Sequence, residues 1–183
     1  MVSTRESHFS EARKMPAKSV NVMRRSGRGK DRIVVRRATV RDLDVLVHQR
    51  REMWTEMGGK TKGELDDADA VYRPWARSRL KSGTVVGWLV ETEHRDIVAG
   101  AIVWLRPTVP RPGFKHQSQP FVLSMYTEPE WRGRGLASML VTEAVSWARK
   151  KGYKEILLHA SQMGKRVYLH HGFSRTWEMR LQL

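Results

Sequence analysis

The stretch MYTEPEWRGRGLAS, residues 125–138, joins two segments with different hydrophobic periods. Residues 121–127 form a short apolar run that is typical of a buried strand. Residues 135–151 predict an amphipathic helix, because apolar side chains recur on one stripe: Leu136, Leu140, Ala144 and Trp147. A second apolar run follows over 155–160. Strand, helix and strand in direct succession predict a βαβ unit, and therefore a parallel pair of strands.

The turn at the centre of this unit is rich in glycine and arginine. Gly133 and Gly135 let the backbone approach a ligand closely, and Arg132 and Arg134 add positive charge. The N-terminus of the following helix presents unpaired N–H groups and the positive end of the helix dipole, which attract anions. The turn is not a dinucleotide-binding fingerprint, because Ser138 stands where the third glycine would be, and it is not a Walker loop. The sequence therefore predicts an anion-binding turn of another kind.

The rest of the pattern predicts strands and helices around this unit. Thr39 and Asp42 form a box-like helix start, and Gly58 stops that helix. Residues 85–92 and 97–105 predict a β-hairpin. The other predicted elements are a strand over 33–38, a weaker helix over 69–81, a short helix over 164–170, and a terminal strand or strand pair over 173–183.

The composition is that of one soluble domain. The chain has 183 residues, of which 40% are hydrophobic, so it can close a single core. No apolar run approaches the roughly 18 residues of a membrane span, and no signal peptide is visible, so we predict a cytoplasmic protein without membrane contact. The absence of cysteine excludes disulfides, thiolate metal sites and cysteine nucleophiles. His170 and His171 are adjacent and cannot share a metal on a helix, so no metal site is predicted.

The charge is strongly positive. There are 34 basic and 19 acidic residues, and the formal net charge is +15. Residues 1–32 hold nine Lys or Arg, three acidic residues and no hydrophobic period, so we predict a disordered basic arm over 1–32 and a folded domain over 33–183. Such a charge attracts nucleic acid or a ligand with several phosphates. A basic nucleic-acid-binding module is the alternative, although Trp88, Trp104 and Trp147 lie in apolar runs that favour burial.

The glycine-rich turn resembles the signature of the GNAT superfamily of acyl-CoA N-acyltransferases, R/Q-x-x-G-x-G/A, at Arg132, Gly135 and Ala137. LHAS at 158–161 and YLHHGF at 168–173 resemble the family's fifth strand, the short helix after it and its Y-x-x-x-G-F turn. The resemblance implies an α/β (α+β) fold: a mixed, mostly antiparallel twisted sheet of six to seven strands, flanked by about four helices. It also implies direct transfer of an acetyl or longer acyl group from acetyl-CoA to a primary amine, without a metal.

The resemblance assigns roles to individual residues. The backbone of Met125, Tyr126 and Thr127 would pair with the pantetheine arm as an added strand does. Tyr168 would act as general acid toward the departing thiolate, because a phenol with a pKa of about 10 keeps its proton at neutral pH. Ser161 stands where many family members carry Asn and would contact the pantetheine through its hydroxyl. Amides of the turn would hold the pyrophosphate: Arg132, Gly133, Arg134, Gly135, Leu136, Ala137 and Ser138.

The general base and the acceptor are left open. An amine whose pKa is about 10 must lose a proton before it attacks. Glu91, near the end of the second predicted strand, and His159, on the fifth, are candidates by position. The loop 107–120 has four prolines and several basic residues, and predicts a substrate wall that favours acceptors bearing a carboxylate or phosphate. An acceptor associated with RNA or the ribosome, contact between the 1–32 arm and nucleic acid, and a homodimer all stay open.

Overall fold

A single five-stranded sheet forms the centre of the structure, a computed structural model that describes residues 32–182. The strands are β1 (Ile33–Arg37), β2 (Val85–Thr92), β3 (Ile97–Pro107), β4 (Ser118–Thr127) and β5 (Leu157–Leu158), in that order across the sheet. The helices are α1 (Leu43–Met57), α2 (Lys62–Ser82), α3 (Leu136–Lys150) and α4 (Lys165–His170), with short 3-10 turns at Val40–Asp42 and Pro129–Trp131. The strands β1 to β4 are antiparallel to their neighbours, whereas β4 and β5 are parallel. The predicted mixed sheet, mostly antiparallel and flanked by about four helices, is confirmed.

Two apolar layers cover the two faces of the sheet. The α3 layer contains Leu136 and Leu140 together with Trp88, whose ring meets that of Trp147 edge to face at 5.9 Å between centroids. The α1/α2 layer is built from leucines of α1 and β2 and the inward side of α2. Trp104 packs in this layer, edge to face with the ring of Trp75 on α2. The three tryptophans therefore serve the core, as their place in apolar runs predicts, and do not form an exposed stacking surface.

The structure differs from two predictions: residues 173–182 do not form the predicted terminal strand or strand pair, and the described residues form five strands instead of six to seven. Residues 173–182 form no regular secondary structure. Their alternating apolar side chains, which suggest a strand, are almost fully exposed: Trp177 at 100%, Met179 at 94% and Leu181 at 82%. β5, with two paired residues, offers only a short template for a further strand.

The second helix is longer than the sequence pattern suggests. It begins at Lys62, although the pattern predicts a helix over 69–81. The start is fixed by a capping box: the Thr61 side chain accepts from the Glu64 N–H, and the Glu64 carboxylate accepts from the Thr61 N–H. This T-x-x-E spacing is visible in the sequence and explains the earlier start.

Two expectations concern membranes and the N-terminal arm. Within residues 32–182, no helix is both long and apolar enough to cross a membrane. The arm predicted over 1–32 lies, apart from its last residue, outside the part of the chain that the structure describes.

A partly buried ion pair connects β1 to the start of α1. The guanidinium of Arg36 donates to both carboxylate oxygens of Asp42, at 2.7 and 3.1 Å. The N–H of Thr39 donates to the same carboxylate at 2.8 Å and completes the predicted capping box. Burial alone would raise the pKa of Asp42, but the hydrogen bonds from Arg36 and Thr39 outweigh it and hold the pKa below its usual value.

Asp42→Asn is expected to lower the free energy of unfolding by about 1–3 kcal/mol at neutral pH, because a charged hydrogen-bond acceptor is lost. Since the folded-state pKa of Asp42 is lowered, its contribution is present above the unfolded pKa and disappears as pH falls through the folded value. The difference between the two proteins, measured by urea unfolding, should therefore shrink below about pH 4. Asp44→Asn is the control: its carboxylate is 83% exposed and pairs with Arg73, so its loss should be much smaller. Equal losses in both variants would contradict the assignment.

Candidate active site

β4 and β5 diverge after a short parallel contact. β5 pairs with β4 only at Phe121 and Val122, whereas β4 stays paired with β3 as far as Thr127. A β-bulge follows the contact, because Leu123 is an extra residue between Val122 and Ser124 in the register with β3. Bulges redirect strands and are common beside active sites. Within residues 32–182, the second half of β4 therefore has a partner strand on one edge only; we call the other edge, along residues 123–127, the open edge.

The open edge presents the backbone groups of Met125 and Thr127. The N–H of Glu128 donates to the carbonyl of Val98 next to β3, at 2.9 Å between N and O. Backbone groups point to alternate sides along a strand, so Tyr126 also faces β3, whereas Met125 and Thr127 face away from it. An extended ligand can pair with such groups as an additional strand would.

The glycine-rich turn leads directly into α3. Gly133 and Gly135 have φ values of +74° and +80°, in the left-handed region that favours glycine. Apart from the neighbouring residues in the chain, no atom of residues 32–182 lies within 4 Å of the position that a Cβ would take at either residue, so this side of the turn is open. α3 begins without a side-chain cap. Its first N–H groups, at Leu136, Ala137 and Ser138, have no partner within the helix and lie at the positive end of its dipole. The turn therefore has the properties of an anion site.

The arginine side chains of the turn are bound by the protein. Arg132 donates from Nε to the carbonyl of Thr127 at 2.9 Å, and its guanidinium forms an ion pair with Glu56 on α1. The guanidinium of Arg134 lies over the ring of Trp131, 4.4 Å from its centroid. The anion site is consequently built mainly from backbone amides, and Arg132 acts by connecting the turn to the end of β4 and to α1.

The turn is also connected to the segment after α4. Ser138 Oγ lies 2.6 Å from His171 Nε2. Burial and the neighbouring His170 lower the pKa of His171, so its ring is neutral at pH 7 and can accept the hydroxyl hydrogen. This bond holds the first turn of α3 against the YLHHGF segment.

Tyr168 lies beside the open edge. Its side chain is buried, and its hydroxyl is 3.6 Å from Met125 Sδ. Phe173 packs against the ring edge to face, at 5.7 Å between centroids. Burial raises the pKa of Tyr168, which keeps the phenol protonated at neutral pH. Ser161 lies at the start of the same segment and accepts from the Gly164 N–H at 3.1 Å, so its hydroxyl can still donate to a ligand.

The sequence model of the acetyltransferase (GNAT) family matches residues 46–173, a span that includes the open edge, the turn and Tyr168. This chain belongs to the GNAT acetyltransferase family. A GCN5-related N-acetyltransferase from Ralstonia eutropha is 27% identical, with a TM-score of 0.75 over 82% of this chain and 98% of that one. A predicted acetyltransferase from Clostridium acetobutylicum, solved with acetyl-CoA, is 28% identical, with a TM-score of 0.74 over 82% and 95%.

A more distant N-acetyltransferase structure shares the fold. A ribosomal-protein-alanine N-acetyltransferase from Brucella melitensis is 15% identical, with a TM-score of 0.61 over 82% of this chain and 98% of that one. At this identity the likeness concerns the fold alone. A search of curated protein sequences finds no match. The GNAT protein described here is an N-acetyltransferase.

The two candidate bases of this GNAT protein lie away from the open edge. Glu91 forms an ion pair with Arg36 on β1, and β3 separates its strand from β4. His159 Nε2 is 2.9 Å from Glu178 Oε1, and its ring packs against Phe121, before the bulge. The structure therefore brings neither side chain next to Met125.

The proline-rich loop between β3 and β4 lies at the beginning of β4, the opposite end from Thr127. Arg111 forms an ion pair with Glu155. His116 Nε2 is 3.0 Å from the carbonyl oxygen of Lys151, and its ring stacks on Tyr153. These basic side chains bind the junction of α3 and β5, so they do not line the open edge.

A group of carboxylates that the sequence patterns did not reveal lies near the end of β4. The charges of three carboxylates act on Tyr126, and we call these residues the carboxylate group: Glu52 and Glu56 on α1 and Glu128 after β4. The hydroxyl of Tyr126 donates to Glu128 Oε2 at 3.4 Å. Burial, followed by the charges of these three carboxylates, raises the pKa of Tyr126 to about 12. The available sequence signal is the i, i+4 spacing of Glu52 and Glu56, which places both on one side of α1.

Proposed function

We propose that this protein transfers an acetyl group from acetyl-CoA directly to an amine at the open edge of β4. The observation that carries the proposal is the convergence at Met125. Its backbone N–H lies on the open edge by strand alternation, and its sulfur is 3.6 Å from the Tyr168 hydroxyl. A hydrogen-bond donor for a carbonyl oxygen and a protonated acid for a leaving group are thus adjacent.

The cofactor assignments follow the chain from β4 to α3. The open-edge groups of Met125 and the N–H of Thr127 would pair with the pantetheine arm, since the Thr127 carbonyl already accepts from Arg132. Tyr126 between them keeps the strand attached to β3. The amides of Leu136 to Ser138 would bind the pyrophosphate, with Gly133 and Gly135 giving it access. Support comes from the uncapped start of α3 and from the open space above both glycines. The Ser161 hydroxyl is free to donate to the arm.

The reaction would proceed by direct attack. The neutral amine nitrogen forms a bond to the thioester carbon, the carbon–sulfur bond breaks, and the thiolate takes the proton of Tyr168. The amine loses a proton to solvent, which returns one to Tyr168. The Met125 N–H would stabilise negative charge that develops on the carbonyl oxygen. Fixed positions of both reactants supply the remaining rate acceleration.

Acetyl-CoA is expected to raise the melting temperature by several degrees. A ligand present at about 100 times its Kd stabilises the native state by about 2.7 kcal/mol, and a domain of this size gains roughly 2–4 °C per kcal/mol. Thermal unfolding with acetyl-CoA, and with a single-stranded oligonucleotide as control, would be measured at low and at high salt. Stabilisation by acetyl-CoA that persists at high salt supports the proposal. If only the oligonucleotide stabilises, and high salt removes its effect, the protein is a polyanion-binding module instead.

A further inference from the structure

We propose that the carboxylate group forms an acceptor subsite for an aliphatic di- or polyamine, an acceptor that carries a second cationic amino group besides the one that reacts. This inference rests on the proposed function and names the substrate class of the same site.

The carboxylate group and Tyr168 reach the open edge from opposite faces of the sheet. Tyr126 pairs with Gly100 in the register of β3 and β4, and directly paired residues point to the same face. Gln49 of α1 lies against Gly100, so Tyr126 faces α1. Met125, the next residue along β4, faces the other side, where Tyr168 lies. An acceptor approaching past α1 would therefore meet the carbonyl carbon from the side opposite the general acid.

The carboxylate group has more negative charge than the protein neutralises. Glu56 is paired with Arg132. Among the described residues, the Glu128 carboxylate has two side-chain partners: His48, with 3.6 Å between Nε2 and Oε1, and the Tyr126 hydroxyl. Glu52 has no ion pair or hydrogen bond among residues 32–182. Within the part of the chain that the structure describes, one guanidinium pairs with this group of three carboxylates, which leaves two negative charges uncompensated in a protein whose net charge is +15. This locally negative charge, on a protein that is positive overall, favours binding of a cation beside the carboxylate group.

Two buried polar side chains on the same wall also lack partners. Gln49 is 4% exposed and Ser124 8% exposed, and neither Gln49 Nε2 nor Ser124 Oγ has a hydrogen-bond partner among the described residues. Ser124 precedes Tyr126 by two positions and so faces α1 as well. Gln49 and Glu52 are three positions apart on α1 and share one side of the helix. Unsatisfied buried groups of this kind call for a partner: an amino group could donate to Ser124 Oγ, whereas Gln49 Nε2, itself a donor, needs an acceptor.

The reacting nitrogen cannot be the cation that the carboxylates select. It must be neutral to attack, because a protonated amine has no free electron pair. A second amino group, which stays protonated at neutral pH, would balance the surplus charge. An acceptor bearing a carboxylate or phosphate would be repelled there. A cationic acceptor is the opposite of the carboxylate- or phosphate-bearing acceptor that the basic loop between β3 and β4 suggests. The basic side chains Arg111 and His116 of that loop are bound at the far end of β4, away from the open edge.

Three acceptors with the same four-carbon chain test the inference: 1,4-diaminobutane, 1-aminobutane and 4-aminobutanoate. With acetyl-CoA and a thiol-release assay, the wild-type protein should prefer the diamine over the monoamine by at least about tenfold in kcat/KM, with the anionic acceptor last. Glu52→Gln should reduce the preference for the diamine several-fold through its KM, and leave the KM for acetyl-CoA unchanged. Asp67→Asn removes the same charge from an exposed position on α2 and should keep the preference.

The outcomes distinguish failure of the proposed acetyl transfer from failure of the diamine subsite alone. Absence of acetyl-CoA binding in calorimetry would overturn the proposed function and this inference with it. If acetyl-CoA binds, the inference alone is overturned by any of three results: preference for 4-aminobutanoate, an unchanged preference in Glu52→Gln, or transfer to none of the three amines. A diamine preference that Glu52→Gln reduces and Asp67→Asn retains supports it.

Discussion

Tyr168→Phe is expected to lower kcat at least about tenfold, because general acids typically contribute about 10²–10⁴-fold, while the KM for acetyl-CoA stays nearly unchanged. The substitution keeps the ring and its edge-to-face contact with Phe173. It removes the hydroxyl beside Met125 Sδ, the group positioned to protonate the thiolate. Protonation of the leaving group matters in the transition state and hardly at all in the bound ground state, so the loss should appear in kcat.

Tyr153→Phe provides a matched control. Tyr153 is also packed against other rings, and its hydroxyl is 3.1 Å from Ser118 Oγ, at the start of β4 and far from the open edge. Both variants lose one phenolic hydroxyl, so their melting temperatures should change by similar small amounts. Only Tyr168→Phe should lose activity. Full kcat together with a clearly lower melting temperature would show that Tyr168 is a core aromatic and that another group protonates the thiolate.

Gly135→Asp is expected to weaken acetyl-CoA binding by at least about 100-fold, because like-charge juxtaposition costs several kcal/mol. The new carboxylate would stand at the N-terminus of α3, in the open space where the pyrophosphate is proposed to bind. It would also cap the amides that the phosphate needs. Isothermal calorimetry with acetyl-CoA measures the change directly.

Gly83→Asp separates binding from backbone strain. Gly83 ends α2 with a φ of +73°, close to the +80° of Gly135, and a Cβ at either residue would have no atom of the described, non-neighbouring residues within 4 Å. Both substitutions therefore add one negative charge, and both place a residue with a Cβ in the left-handed backbone region, which costs roughly 1–2 kcal/mol. Gly83→Asp should bind acetyl-CoA normally. Undiminished binding by Gly135→Asp, or equal weakening in both variants, would remove the turn from the cofactor site.

Much of the fold could be predicted because its signals are local. The apolar run before the turn, the stripe on α3 and the capping box at Thr39 each depend on neighbours within a few residues, and each has its predicted structure. The terminal segment shows where this fails. Trp177 and Met179 alternate with polar residues as a strand would, but a strand also needs a partner edge, and β5 is too short to supply one.

The candidate site divides in the same way. The turn and Tyr168 carry a motif, so their residues could be identified before their positions were known. The open edge depends on how far β5 follows β4 and on the bulge at Leu123, both of which are set by tertiary packing. The carboxylate group depends on the docking of α1 beside β4. The spacing of Glu52 and Glu56 shows that they share a side of the helix, but not which strand that side meets.

Amide hydrogen exchange would report the open edge of β4 with a two-residue period. In the free protein, Tyr126 is bonded to β3 and its hydrogen is protected, whereas those of Met125 and Thr127 face away from β3 and exchange readily. An extended ligand paired along that edge would slow exchange at Met125 and Thr127 and leave Tyr126 as it was. Protection that rises at alternate residues distinguishes an added strand from a general tightening of the domain, in which all three hydrogens would slow together.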